Sequence, residues 1–460
     1  MNLAVHGLEG RIGEVITYYP GDHNLVGKCD FVMANPPFNV DLVDAERIKG
    51  DPRLPFGLPG VNKQKKVGNG NYLWISYFWS YLNQKGRAGF VMSSQASSAG
   101  HGEKEVRRKI VETGDVDVMI SIRSNFFYTR TVPCELWHFD RAKPPERKDN
   151  VLMLDARSVY RKVSRKIYDF SPEQMHNLAA IVWLYRGQRE RFLGLVRNYL
   201  ARSCTESAAI AGALLPFEAG LADLRERFDC LAKVIAVHTE LDADKKQVLA
   251  DAVNELRNAA ALYAPDAKKL RQSLAAFIQS YGQVPPDTNE TQHAARKVFE
   301  PHAEAIRGLI RQVDLLYKLA AGAADIGGEL VVDNAISAAY DRRATSRLVK
   351  QLDEERKAAI EQLKQAAYFY RQATWLQDRF PKAELEAVPG LVRLVDHKEI
   401  EAADWSLTPG RYVGVASPEE KEDFDFEQTL RDIHTELADL NKEAAELAAR
   451  IQENFEELGA

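Results

Sequence analysis

Short apolar runs alternate with helix-length segments over residues 29 to 155. The runs are Cys29 to Ala34, Ala88 to Ser93, Val116 to Ile122, Cys134 to Phe139 and Val151 to Asp155. Runs of this length, rich in β-branched and aromatic residues and spaced by helical stretches, predict an open α/β sheet. Between the first two lies Asn71 to Asn83, apolar nearly all round, which predicts a helix buried on most sides. Gly102 to Thr113 predicts a second connecting helix, and its mixture of Glu103, Lys104, Glu105, Arg107, Arg108 and Lys109 places it on the surface.

The texture changes at Ser171-Pro172-Glu173-Gln174, where an N-cap, a first-turn proline and an N3 glutamine precede a helical pattern. From there to about residue 380 the chain predicts several packed helices, with turns at Val284-Pro285-Pro286-Asp287 and at Gly327-Gly328. One long amphipathic helix is expected through Leu348, Leu352, Ala359 and Leu363. Residues 381–424 return to loop and turn chemistry. Over the last stretch, Phe426, Leu430, Ile433, Leu437, Leu440, Ala444, Leu447 and Ile451 alternate four and three apart, a heptad seam that requires a partner helix. The partner is either the chain's own 348–370 helix or another subunit. The expected architecture is therefore a partial Rossmann-like α/β sheet over 1–170, a helical region over 171–380, a connector over 381–424 and a coiled-coil-like helix over 425–460.

Composition narrows the class. The chain has 460 residues, 45 % of them hydrophobic and 28 % charged, as in soluble globular proteins. The net charge of −5 means that any nucleic-acid contact must come from local basic patches. Cys29, Cys134, Cys204 and Cys230 are far apart, with no CxxC pair, which fits reduced thiols and predicts neither disulfide nor zinc site. No leader-like start and no run of about 18 apolar residues is read, so the expected location is cytoplasmic, away from membrane.

The chemistry lies in Asp30-Phe31-Val32-Met33-Ala34-Asn35-Pro36-Pro37-Phe38, a strand ending in NPPF. Such a tetrapeptide arises by chance in a chain this long roughly 0.4 % of the time. An adenine exocyclic amine is a poor nucleophile because its lone pair is delocalised into the ring. Two acceptors, the Asn35 side-chain carbonyl and the Pro36 main-chain carbonyl, can each take one amino proton and align the lone pair on a sulfonium methyl. Consecutive prolines fix φ and hold that carbonyl before substrate arrives. Phe38 offers a stacking face to a base that has left the duplex. The plainer reading is a proline turn that closes a strand.

NPPF closing a strand resembles the catalytic motif of amino-methyltransferases, and the surrounding text is similar to the modification (methyltransferase) subunit of type I restriction-modification systems. Met1 to Gly7 looks like the helix after that family's ribose-binding acid. Gly21-Asp22 looks like its next motif, making Asp22 a cofactor-site candidate beside Asn35. Asn71-Tyr72-Leu73-Trp74, Gly86-Arg87-Ala88, Phe127-Tyr128-Thr129 with Pro133-Cys134, and Leu407 to Val413 match later family segments, although relatives often carry glycine where this chain has Thr129-Arg130-Thr131. The resemblance implies S-adenosyl-L-methionine as methyl donor and double-stranded DNA with a flipped adenine as substrate. It also implies a DNA-recognition (specificity) subunit that holds the C-terminal helix, and a restriction subunit within the complex. Segment 39–70, with Arg53, Lys63, Lys65 and Lys66, is the expected target-strand loop, a solvated basic loop being the alternative.

The family's glycine-rich loop and following ribose-binding acid are not found in the 460 residues, so the chain is expected to begin at an internal methionine and to be inactive alone. The strand Cys29 to Ala34 is then expected to lose its neighbour, as is a strand near Glu14 to Tyr18, leaving an edge prone to aggregation. The alternative is a non-catalytic product that binds only the recognition subunit.

Overall fold

The computed structural model describes residues 6, 7, 9, 10, 17–19, 24–126, 131–164, 167–238, 242–333 and 340–416, and isolated positions at 437, 444, 445 and 447. Most of the C-terminal heptad segment, Asp22, most of the Glu14 to Tyr18 strand and all of Phe127 to Thr129 lie outside the described residues. The chain divides into two compact units, Met1–Met175 with Glu386–Ala460, and His176–Leu385.

The first unit is built on a six-stranded mixed sheet. In chain order its strands are β1 (Cys29–Ala34), β4 (Leu82–Ser93), β5 (Val116–Ile122), β6 (Cys134–Asp140), β7 (Asn150–Asp155) and β10 (Val392–Asp396). Two small hairpins supply the rest: β2 (Val43–Asp44) with β3 (Lys66–Val67), and β8 (Arg161–Ser164) with β9 (Ile167–Asp169). The spatial order is β1-β4-β6-β5-β7-β10. β1 runs parallel to β4 and β5 parallel to β7, while β6 lies antiparallel to both β4 and β5.

The strands follow their hydrophobic pattern. Val32 and Ala34 face the same side as Ala88, Phe90, Met92, Trp137 and Phe139, and this side packs with Tyr72, Ile75 and Phe78 of the Asn71–Tyr81 helix. Phe90 contacts the rings of Phe78, Trp137 and Phe139. Alternate residues of β1 point the other way, where Phe31 is 77 % and Met33 92 % exposed. Among the described residues β1 pairs only with β4 and forms one edge of the sheet. Near its start the register jumps from Cys29–Leu82 to Phe31–Arg87. Gly86 makes this possible, because a Cβ there would lie 2.7 Å from the Cys29 carbonyl oxygen.

The connecting helix His101–Glu112 departs from the expected surface character. One face buries Val106, Ile110 and Val111, and with them Arg107. Residues 381–424, read from sequence as connector, contain a sheet strand. β10 pairs antiparallel with β7, from Val392–Leu154 to Asp396–Asn150. The helix His397–Ala402 follows, entered by a complete Asp396–Glu399 capping box. The segment then returns across the sheet unit, where Leu407 N–H donates to Ser97 O at 2.8 Å.

The second unit consists of four long helices, Arg189–Val237, Ala243–Tyr281, Asn289–Asp333 and Arg342–Arg379. The preceding helix, Pro172–Tyr185, starts as its sequence requires: Gln174 N–H donates to Ser171 Oγ, and Gln174 Oε1 accepts from Ser171 N–H. Buried residues in the bundle alternate three and four apart, as in Leu214, Phe217, Leu221, Leu224, Phe228, Leu231 and Ile235, and in Leu249, Val253, Leu256, Ala260, Tyr263, Ala267, Leu270 and Leu274. That spacing is the seam of long, nearly parallel or antiparallel helices. Gly327 and Gly328 lie inside a helix rather than in the expected turn. Pro216, Pro265 and Pro301 also lie within helices, at exposed positions where the carbonyl released four residues earlier can be solvated. The Arg189–Val237 helix contains an 18-residue window of mean hydropathy 1.3, long and apolar enough to cross a membrane. In this bundle the helix turns its repeating large residues into the shared core.

Candidate functional site

Open α/β sheets bind ligands beyond the carboxyl ends of their strands. NPPF stands there: β1 ends at Ala34 and the chain leaves it through Asn35-Pro36-Pro37-Phe38. Pro36 is buried, Phe38 half-buried, and Asn35 and Pro37 exposed. Prolines at 36 and 37 remove two backbone donors and fix two φ angles, so the main chain here neither extends the sheet nor coils into a helix. Asn35 thus presents its carboxamide to solvent on a backbone that the buried Pro36 anchors.

The exit from the loop is also fixed. Asn39 adopts a left-handed conformation, φ 54°, in which the chain turns away from the strand direction. Its N–H donates to Asn71 Oδ1 at 2.8 Å, and its Oδ1 accepts from Asn71 Nδ2, also at 2.8 Å. Asn69 Nδ2 donates to the same Asn39 oxygen at 3.2 Å, and Gly70 N–H donates to Val40 O at 2.7 Å. A Cβ at Gly70 would meet that carbonyl at 3.1 Å and the Tyr18 ring at 3.2 Å, so glycine permits the close approach. The Asn39–Asn71 contacts join residues 32 apart in sequence, and the sequence signal for them is only the cluster Asn69-Gly70-Asn71.

The expected basic loop is reorganised by its own carboxylates. Arg53 is buried and forms a forked pair with Asp51, with Nη2–Oδ2 at 2.7 Å, and its Nη1 donates to Thr17 O. Lys66 pairs with Asp44 at 2.7 Å, holding the Asp44 carboxyl below the usual carboxylate range, and Lys65 lies 3.5 Å from Glu46. Arg53, Lys65 and Lys66, three of the four cations expected to meet the target strand, are therefore engaged inside the loop. Phosphate contact by these side chains would have to compete with those pairs.

A second polar cluster has no signature in the sequence. Glu135, the second residue of β6, is almost wholly buried, with Ser121 Oγ donating to its Oε1 at 3.2 Å. Burial pushes its carboxyl up to about 8, and nearby Asp155 reinforces this. Ser97 Oγ stands 2.7 Å from Thr408 Oγ1, linking this cluster to the returning C-terminal segment. Among the described residues no group of three or more His, Cys, Asp or Glu could hold a metal ion.

An exposed carboxamide next to a proline-fixed carbonyl, at the carboxyl end of an α/β strand, places two hydrogen-bond acceptors side by side on a constrained backbone. Residues 1–196 match the N-6 DNA methylase family. A type I restriction enzyme methylase subunit, MjaIX, from Methanocaldococcus jannaschii is 39 % identical over 170 residues, which cover 36 % of this chain and 30 % of that protein. The HindI methylase subunit of a type I restriction enzyme from Haemophilus influenzae is 28 % identical over 181 residues, 39 % of each chain. The chain thus spans about a third of the length of the curated relatives it matches. Among solved structures, the type I restriction-modification methyltransferase subunit from Streptococcus thermophilus aligns with TM-score 0.34 at 18 % identity, over 39 % of this chain and 37 % of that one.

Proposed function

We propose that this chain acts in the modification subunit of a type I restriction-modification system, methylating the exocyclic amine of adenine in DNA. The observation that carries the reading is NPPF at the end of β1, inside the segment that matches N-6 DNA methylases. In this reading Asn35 Oδ1 and Pro36 O accept the two amino protons and turn the nitrogen lone pair toward the methyl donor. Phe38 stacks on the flipped base, and Pro37 keeps the loop from coiling. S-adenosyl-L-methionine, when bound, would supply an electrophilic sulfonium methyl, whose S–C bond breaks to leave a neutral thioether as the N–C bond forms and the amine loses one proton. Asn35 is the described residue that fits beside such a donor, with Asp22 as the sequence candidate for its adenosine end. The specificity subunit reads the DNA, the restriction subunit joins the complex, and the location is cytoplasmic.

In the complete modification complex, Asn35→Ala is expected to lower methyl transfer about 100-fold or more, the order lost with one transition-state hydrogen-bonding group, while the subunits still co-purify. Transfer from labelled S-adenosyl-L-methionine at an unchanged rate would refute the role of Asn35. The second reading, a non-catalytic partner of the recognition subunit, is favoured by the heptad seam from Phe426 to Ile451. It predicts co-purification without transfer from the wild-type complex.

A further inference from the structure

We propose that Asn71 is the positioning residue of the catalytic loop, acting through Asn39 to set where Phe38 and the Pro36 carbonyl stand. The inference rests on the methyltransferase reading of residues 35–38 and assigns the loop's geometry to a side chain that does not touch substrate.

Asn71 is only 1 % exposed and opens the Asn71–Tyr81 helix, whose Tyr72, Leu73, Ile75, Tyr77 and Phe78 are buried. Its own N–H is held by Asn69 Oδ1 at 2.9 Å. The carboxamide therefore projects from a fixed backbone, in contrast to Asn39, which sits exposed on the loop. The pairing also has a defined sense. The Asn39 backbone N–H is only a donor, so Asn71 must face it with oxygen, which turns Asn71 Nδ2 to the Asn39 side-chain oxygen. A buried amide with both functions engaged locks its partner in one conformation. That partner is the left-handed residue directly after Phe38, and a change in its φ would swing the aromatic ring and the preceding carbonyls together.

The same helix holds a second strip of chain. Trp74 Nε1 donates to Tyr18 Oη at 2.5 Å, and Tyr77 Oη donates to Tyr18 O at 3.0 Å. Tyr18 lies four residues before Asp22 in sequence. One rigid helix thus fixes both the exit of the acceptor loop and the approach to the expected cofactor motif. Displacing two such groups by an ångström costs rate rather than binding, since near-attack geometry carries much of the acceleration.

The test uses the complete modification complex, with single-turnover transfer, KM for S-adenosyl-L-methionine, and hydrogen exchange at the Asn39 amide. Asn71→Ala is expected to lower kcat tenfold or more, to change KM less than threefold, and to speed Asn39 exchange at least tenfold. Asn39→Ala, a change on an exposed loop that leaves the fold intact, should lower kcat similarly. Asn39→Asp keeps the backbone donor and an accepting side-chain oxygen and should stay within threefold of wild type. An unchanged kcat in Asn71→Ala, or loss in Asn71→Ala with none in Asn39→Ala, overturns the clamp alone. A wild-type complex that transfers no methyl overturns the methyltransferase reading, and the clamp with it.

Discussion

Arg107→Met would test how the chain after the helical unit is fastened to the sheet. The Arg107 guanidinium is buried at 1 % exposure; its Nε donates to Trp405 O at 2.6 Å and its Nη1 to Ala99 O at 2.7 Å and Tyr72 Oη at 3.1 Å. Methionine fills most of the same space but donates nothing. Hydrogen bonds from a charged donor contribute about 1.5–3 kcal/mol each. Burying the guanidinium has its own desolvation cost, which the variant recovers. The bond to Trp405 O, the one short contact that reaches the 404–413 segment, less that recovery leaves about 1.4 kcal/mol, and at about 1.36 kcal/mol per decade this is about a tenfold change in the opening equilibrium. The loss should fall on the 404–413 segment, because the other acceptors belong to the sheet unit itself. Hydrogen exchange at Leu407, whose N–H donates to Ser97 O, reads that opening directly. Arg107→Lys, with one donor group on a shorter reach, should fall between. Less than fivefold faster exchange at Leu407 in Arg107→Met, or equal acceleration throughout the sheet, would refute this account.

Glu135→Gln should remove a pH dependence. A carboxyl held at about 8 in the folded chain, against 4.5 ordinarily, binds its proton more tightly folded than unfolded. It therefore stabilises the fold in acid, and that stabilisation is lost as pH rises from about 4.5 through about 8. Wild type should lose a few kcal/mol over this range, at about 1.36 kcal/mol for each tenfold difference in proton affinity between the folded and unfolded chain. Glu135→Gln should be flatter and more stable at pH 9 by denaturant titration; parallel pH profiles would count against it. Gly86→Val should destabilise the sheet by about 1–3 kcal/mol, the order for forced overpacking, since its Cβ would meet backbone atoms of Cys29 and Asn83 at 2.7 and 3.1 Å. An unchanged denaturation midpoint would mean that the β1–β4 crossing can relax at no cost.

What the sequence made legible was short-range. The strands at Cys29, Val116 and Cys134 were readable because compact apolar runs end in turn residues, and the Ser171 cap because four consecutive residues encode both of its hydrogen bonds. NPPF was readable as the end of a strand because two consecutive prolines can continue neither a strand nor a helix, and the proposed chemistry rests on those residue types in that order. Asn71 stands out in the sequence only as part of a family segment; its link to Asn39 spans 32 residues, and local pattern carries no trace of it. Arg107 reads as surface charge because its helix is crowded with exposed ions, and its burial is explained by acceptors distant in the chain or in a preceding turn, Trp405 O, Ala99 O and Tyr72 Oη. The bundle seam was diluted by alanines on its buried positions, such as Ala260, Ala267, Ala320 and Ala366. Pro216, Pro265 and Pro301 argued for breaks that solvent exposure renders tolerable.

The placement of β10 changes what counts as the sheet unit. A boundary drawn near residue 170 by composition ends the sheet at β7, yet Val392–Asp396 pairs with β7 from Asn150 to Leu154. Removing it would leave buried Val151, Leu152, Met153 and Leu154 on an open edge, the arrangement most prone to aberrant pairing. The following turn reaches Arg107, Ser97 and the Glu135 cluster, in the same sheet unit that carries the NPPF loop. The segment after the helices is thus part of the sheet's own core, and the four-helix unit is an insertion between β9 and β10. Val32 and Ala34 of β1, the strand that ends in NPPF, thus share one hydrophobic cluster with Val395, Ile400, Leu407 and Tyr412, through packing that joins residues more than 350 apart.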